Sequence, residues 1–215
     1  MMMLAQSAGD LDDGVAIEQG DPAVLDAVRR PEVHLAIWSR PLPDALRWIT
    51  GLDHETIDDL TFHAELADID RQISHELAEA GYPVSDGLVA LGHDIAELAH
   101  RFAALLVLTQ VKVRLEVIET DACRKFHADV VTARLLTTYA GQGTQWTQTR
   151  GGDDAPIRQM RAGDVGIFKG RLSVGEPQIL HRSPPIAGTG ESRLLLAIDP
   201  WPSAAPHPPT CENAS

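Results

Sequence analysis

Near residue 110 the hydrophobic period of this chain changes from three-to-four to two, and no single regular element satisfies both. On the N-terminal side, "TFHAELADIDRQISHELAEAG" sets Leu66, Ile69, Ile73 and Leu77 on one face of an expected helix. Gly81 and Pro83 stop that helix, and Ser85 is the expected cap of another running to about Leu108. "DPAVLDAVRR" offers Asp21 as N-cap with Pro22 at the first helical position, and "LPDALRWITGL" also reads as helical. "PEVHLAIWSR" alternates enough for a short strand. On the C-terminal side, "VKVRLEVIE", "ARLLTTYA", "GTQWTQT", "DVGIFKG", "PQILHR" and "SRLLLAID" are short strands separated by glycine and proline. The expected fold is α+β: a helical N-terminal half packed on a C-terminal double-stranded β-helix, or jelly roll.

The expected divisions are a flexible N-terminus over 1–20, a helical region over 21–109, a strand region with a metal site over 110–200, and a disordered proline-rich tail over 201–215, docked at most by Trp201. A formal net charge of −13 excludes a nucleic-acid partner and disfavours an anionic membrane, leaving a small-molecule, protein or metal partner. No apolar run reaches the roughly 18 residues of a membrane span. The first residues lack the charged and apolar regions of a signal peptide. Cys123 and Cys211 are the two cysteines, with Cys211 in the tail, so reduced thiols and a cytoplasmic location are expected.

"CRKFHADV", residues 123–130, crowds a thiol, two cations, a histidine and an aspartate ahead of an apolar strand. On extended backbone His127 and Asp129 point the same way, so an imidazole nitrogen and a carboxylate oxygen converge. A second histidine from a neighbouring strand would complete the two-histidine, one-carboxylate set that suits non-haem Fe(II). His181, in "ILHRSPP" at a strand end 54 positions on, is the candidate. Arg193 opens the apolar strand "RLLLAID" and needs a partner; a carboxylate meets its planar fork best, and 2-oxoglutarate carries one at its far end.

Blander roles stand beside these. H-x-D alone is common, His181 could be a satisfied sheet-edge residue, and Arg193 could pair with Glu191 or Asp199. Cys123 is either a half-buried thiol at a strand start or a ligand in a zinc site with the same histidines. Trp146 is either core or a pocket wall, and Arg124 and Lys125 either balance nearby acids or draw an anionic substrate to the mouth. The other histidines show no paired spacing on a common strand, although His93 and His100 share a helix face. The chain has no Gly-rich phosphate loop, G-x-S-x-G elbow or C-x-x-C.

The order His127-x-Asp129, His181, Arg193 resembles that of the Fe(II)/2-oxoglutarate-dependent dioxygenases. The resemblance implies Fe(II) at His127, Asp129 and His181, the 2-oxoglutarate carboxylate at Arg193, and a supporting hydrogen bond from Tyr139. "CRKFHADVVTARLLTTYAGQGTQW", "AGDVGIFKG", "HRSPP" and "RLLLAID" together resemble the bacterial family called domain of unknown function 1826, some of whose members are similar to proteins encoded near zinc-homeostasis genes. That resemblance implies metal handling without naming a reaction. A non-catalytic zinc-binding protein is therefore the alternative to an oxygenase, and Arg193 discriminates them, because only an oxygenase needs a cation facing the metal.

Overall fold

A computed structural model describes residues 4–6, 11–121 and 123–201. In chain order its first strands are β1 (Leu4–Gln6), β2 (Leu11–Asp12), β3 (Ala16–Gln19), β4 (Leu35–Trp38) and β5 (Leu60–Glu65). Helices α1 (Ile69–Glu79) and α2 (Asp86–Leu106) follow. Then come β6 (Gln110–Ile118), β7 (Ala133–Ala140), β8 (Gln145–Gln148), β9 (Ile157–Gln159), β10 (Val165–Lys169), β11 (Ile179–Arg182) and β12 (Arg193–Trp201). The larger sheet has the order β2-β3-β4-β10-β7-β12-β6-β5, and the smaller β1-β9-β8-β11.

Three layers result, because alternate residues of the central strands face opposite ways. From β12, Leu194, Leu196 and Ile198 pack with Ile73, Leu77, Ile95 and Phe102 of the helices. Leu195 and Ala197 face the smaller sheet, joining Leu136, Phe168, Trp146 and Ile179 in a second core. Each such side chain taken from water contributes roughly 1.5–3 kcal/mol. Trp146 is therefore core. The caps follow the sequence: Asp21 accepts from Ala23 N at 2.8 Å, and Ser85 Oγ from Leu88 N at 3.1 Å. The segments after Asp21 and Pro43 are 3-10 helices, Pro22–Arg29 and Asp44–Gly51.

Three expectations are corrected. Residues 61–65 are not helical: Leu60–Glu65 is a strand with strict buried–exposed alternation, paired antiparallel with β6. The N-terminal half is not a helical layer alone, since β4 pairs with β10 and β5 with β6 in the larger sheet. The N-terminus is ordered from Ala16 at the latest, where β3 lies buried and parallel to β4. Trp201 stacks on His63 with ring centroids 3.7 Å apart. The remaining tail, with His207 and Cys211, lies outside the described residues. Among the described residues no helix is long and apolar enough to cross a membrane.

Candidate metal centre

His127 and His181 are joined through their backbones. His127 N donates to His181 O at 3.0 Å and His181 N to His127 O at 2.9 Å, an antiparallel bridge that extends the smaller sheet past β11. The segment is clamped from outside by residues 170–172, where Arg171 N donates to Asp129 O at 2.8 Å and Gly170 N to Thr132 O at 3.0 Å. Only glycine suits position 170, because a Cβ there would lie 2.1 Å from Val131 O. With backbone fixed on both sides, His127, Asp129 and His181 bring one ligand atom each to within 4.8 Å of one another.

The donor set suits a hard or borderline divalent cation. His127 Nδ1 lies 2.9 Å from Lys125 O, and a carbonyl only accepts, so Nδ1 carries the proton and Nε2 presents its lone pair toward Asp129. His181 is 6% exposed and its ring packs tilted against Phe168, centroids 4.8 Å apart; burial pushes its imidazole below the ordinary histidine value and keeps it neutral, outweighing the pull of Asp129. Burial alone would raise Asp129, but nearby His181 and the Arg134 guanidinium outweigh it and hold the carboxyl well below the usual carboxylate range. Asp129 Oδ2 is buried 3.1 Å from His181 Nε2, yet the two are not aligned for a hydrogen bond and Oδ2 has no such partner. An orphaned carboxylate oxygen beside the His181 imidazole fits a cation. Adjacent donors on an octahedral ion with bonds near 2.1 Å stand about 3 Å apart, as His181 Nε2 and Asp129 Oδ2 do at 3.1 Å, whereas His127 Nε2, 3.9 Å from Asp129 Oδ1, would have to close in.

Arg193 is fully buried on the inner face of β12. Its Nε donates to Gln142 O, Nη1 to Ser183 Oγ at 2.9 Å, and Nη2 to Thr138 and Thr144 Oγ1 at 3.2 and 3.4 Å. None of these acceptors is charged. Glu191 instead accepts from Gln142 Nε2, and Asp199 from Arg134. Burial accordingly pushes the Arg193 guanidinium down to about 10. The turn "GQG" wraps this side chain: Gly141 has φ +80°, and a Cβ there would lie 2.3 Å from Ser192 O.

A narrow cavity of about 90 Å³ lies between the sheets, lined by His127 and His181 as well as Thr144 and Ser183. A wider depression of about 560 Å³ also borders His127 and Cys123, with Arg124 and Lys125 on its rim. Cys123 is exposed and outside the ligand group. Asp121 beside it is occupied, its Oδ1 accepting from Ile186 N and Ala187 N at 2.9 Å each.

Tyr139 corrects the sequence reading. Its hydroxyl donates to Asp94 Oδ2 at 2.8 Å within the helix-side core, where Arg40 also grips Asp94 through two hydrogen bonds at 2.6 and 2.9 Å. The register of β7 on β12 skips Tyr139 between Thr138 and Ala140, a bulge that turns both Tyr139 and Ala140 toward the helices. Missed altogether was Arg134, whose Nη1 holds Asp129 Oδ1 while Nε and Nη2 take both oxygens of Asp199 at 2.6 and 2.9 Å. Its signal was available: a charged residue inside the apolar run "ARLLTTYA", in phase with Thr138.

A family model described as "Protein of unknown function (DUF1826)" matches residues 19–199. No curated protein matches. Among solved structures the chain is similar to a dioxygenase for auxin oxidation from rice, 13% identical over 86% of this chain and 82% of that one, with TM-score 0.49. It is also similar to a Pseudomonas putida prolyl-4-hydroxylase, 14% identical over 83% and 97%, with TM-score 0.46. An oxidoreductase of the 2OG-Fe(II) oxygenase family from Burkholderia pseudomallei is 10% identical over 92% and 94%, with TM-score 0.44.

Proposed function

We propose that this chain, which belongs to the DUF1826 family, is an Fe(II)- and 2-oxoglutarate-dependent oxygenase on a double-stranded β-helix. His127, Asp129 and His181 would hold the metal. The observation that carries the proposal is Arg193, a fully buried guanidinium with neutral acceptors only among the described residues, whose hydrogen-bonded hydroxyls line the same cavity as the two histidines. A buried unpaired cation is costly, and an anion entering that cavity would relieve it.

The chain's own groups divide the work. Thr144 and Ser183 each accept from the guanidinium, so each has its own hydroxyl proton free to donate. The far carboxylate of 2-oxoglutarate would be received there, with Arg193 supplying the charge from behind. Leu136, Leu195 and Ala197 wall the cavity and keep water from the reacting groups. When bound, iron would activate dioxygen, the oxidant, and 2-oxoglutarate would supply two electrons as it is oxidised to succinate and carbon dioxide. That substrate would approach from the depression beside His127, where Arg124 and Lys125 favour an anionic molecule.

The test is anaerobic titration of the Fe(II)-loaded protein with 2-oxoglutarate, followed by visible absorbance. Wild type should bind, and Arg193→Lys should keep metal while binding about tenfold to hundredfold more weakly, because it loses the planar fork that orients Thr144 and Ser183. A wild type that holds metal at the three ligands yet ignores millimolar 2-oxoglutarate would refute an oxygenase and leave non-catalytic metal binding.

A further inference from the structure

The two oxygens of Asp129 have different surroundings. Oδ1 is held by Arg134 Nη1 and stands 3.9 Å from His127 Nε2, whereas Oδ2 is buried 3.1 Å from His181 Nε2 and, among the described residues, has no hydrogen-bond partner. Arg134 is itself fixed. Its Nε and Nη2 hold both oxygens of Asp199, which meets Arg114 Nη2 at 3.5 Å, and Arg114 lies 3.2 Å from Glu116. Alternating charges thus run from Asp129 on the entry to β7, through β12, to the middle of β6. One planar guanidinium bridges two carboxylates on different segments, which an ammonium cannot do at both in one plane.

We infer that Arg134 is a positioning residue that commits Asp129 to a metal through Oδ2 alone, with Asp199 fixing Arg134 from behind. The inference rests on the metal centre proposed above. Its chemical consequence is the number of free positions. Two imidazoles and one oxygen leave three sites on an octahedron, while a chelating carboxylate would leave two. Arg134 would thereby keep room for a cosubstrate that binds through two atoms and one further ligand.

Geometry must be separated from charge, because a cation beside the site by itself opposes metal binding. Arg134→Lys does this, retaining the charge and losing the fork. Asp199→Asn removes the anchor while leaving the contact with Asp129 in place. Each variant and the wild type would be titrated with Co(II), recording affinity and the visible ligand-field band, with circular dichroism to follow folding. Both variants should bind Co(II) about 10–100-fold more weakly, the range typical of lost outer partners. The band should also change in position and intensity as Asp129 gains freedom to chelate. A role confined to stability would lower the unfolding temperature and leave the band of the folded protein unchanged. Wild-type affinity and spectrum in Arg134→Lys, or in Asp199→Asn should the first variant not fold, overturns the inference. A wild type that takes up no Co(II) refutes the metal centre itself, a distinguishable outcome that removes both.

Discussion

Replacing Arg193 by methionine should leave the ligand-free protein about as stable as the wild type while abolishing its response to 2-oxoglutarate. Burial lowers the guanidinium to about 10, which corresponds to about 3 kcal/mol against the charged form. Opposing this are four hydrogen bonds to neutral acceptors, roughly 1 kcal/mol each. These nearly cancel, and an unbranched apolar side chain fills much of the space, so a net change within about 1 kcal/mol is expected. Arg40→Met is the contrast. It leaves Asp94 buried without its cation, where loss of one partner typically costs about 3–5 kcal/mol. Urea unfolding of both variants, with metal present and with or without 2-oxoglutarate, separates the cases. Saturation at a hundred times Kd should add about 2.7 kcal/mol to the wild type and to any intact cosubstrate site, and nothing to Arg193→Met. A loss of 3 kcal/mol or more in Arg193→Met, or persisting stabilisation by the cosubstrate, would show that Arg193 is structural.

Alanine at His127, Asp129 or His181 should each lower metal affinity by more than the roughly tenfold that an outer partner costs, whereas Cys123→Ala should leave it unchanged; metal analysis after desalting decides. Acidification should release metal as His181 protonates, at a pH below the ordinary histidine range because burial lowers its pKa; retention of full occupancy at pH 4 would count against histidine ligation. Tyr139→Phe should reduce stability by about 1–2 kcal/mol through loss of the bond to Asp94, with cosubstrate binding unchanged in calorimetry. Gly141→Ala, forced against Ser192 O at positive φ, should cost more than about 2 kcal/mol and weaken cosubstrate binding by displacing Arg193; a variant with wild-type melting temperature would contradict the close approach.

His127 and Asp129 were legible because a period of two sets them on one side of extended backbone, and His181 because it ends a strand of the same period. Arg193 stood out as a charge inside an apolar strand. The same rule applied to β7 would have found Arg134. Tyr139 was misplaced because a bulge breaks alternation between Thr138 and Ala140, and a bulge depends on the partner strand. Phe62 and Ala64 were absorbed into the following helix since their alternation runs without a glycine or proline into the helical period at Leu66. The Arg40–Asp94 pair joins residues 54 positions apart on elements that meet only in the folded protein. No local pattern encodes it.

The backbone bridge between His127 and His181 has a consequence for the order of assembly. Closing a 54-residue loop costs about 3.5 kcal/mol in chain entropy, and here backbone pairing, which uses none of the ligand atoms, closes it. An ion would therefore add its binding free energy to a fold that the sheet already holds, so binding should raise stability without being required for folding. Chelation should empty the centre and leave the melting transition cooperative, unlike a zinc finger, which collapses when stripped. The stripped chain should thus stay folded with a lower melting temperature and take up metal by mass action when it is added.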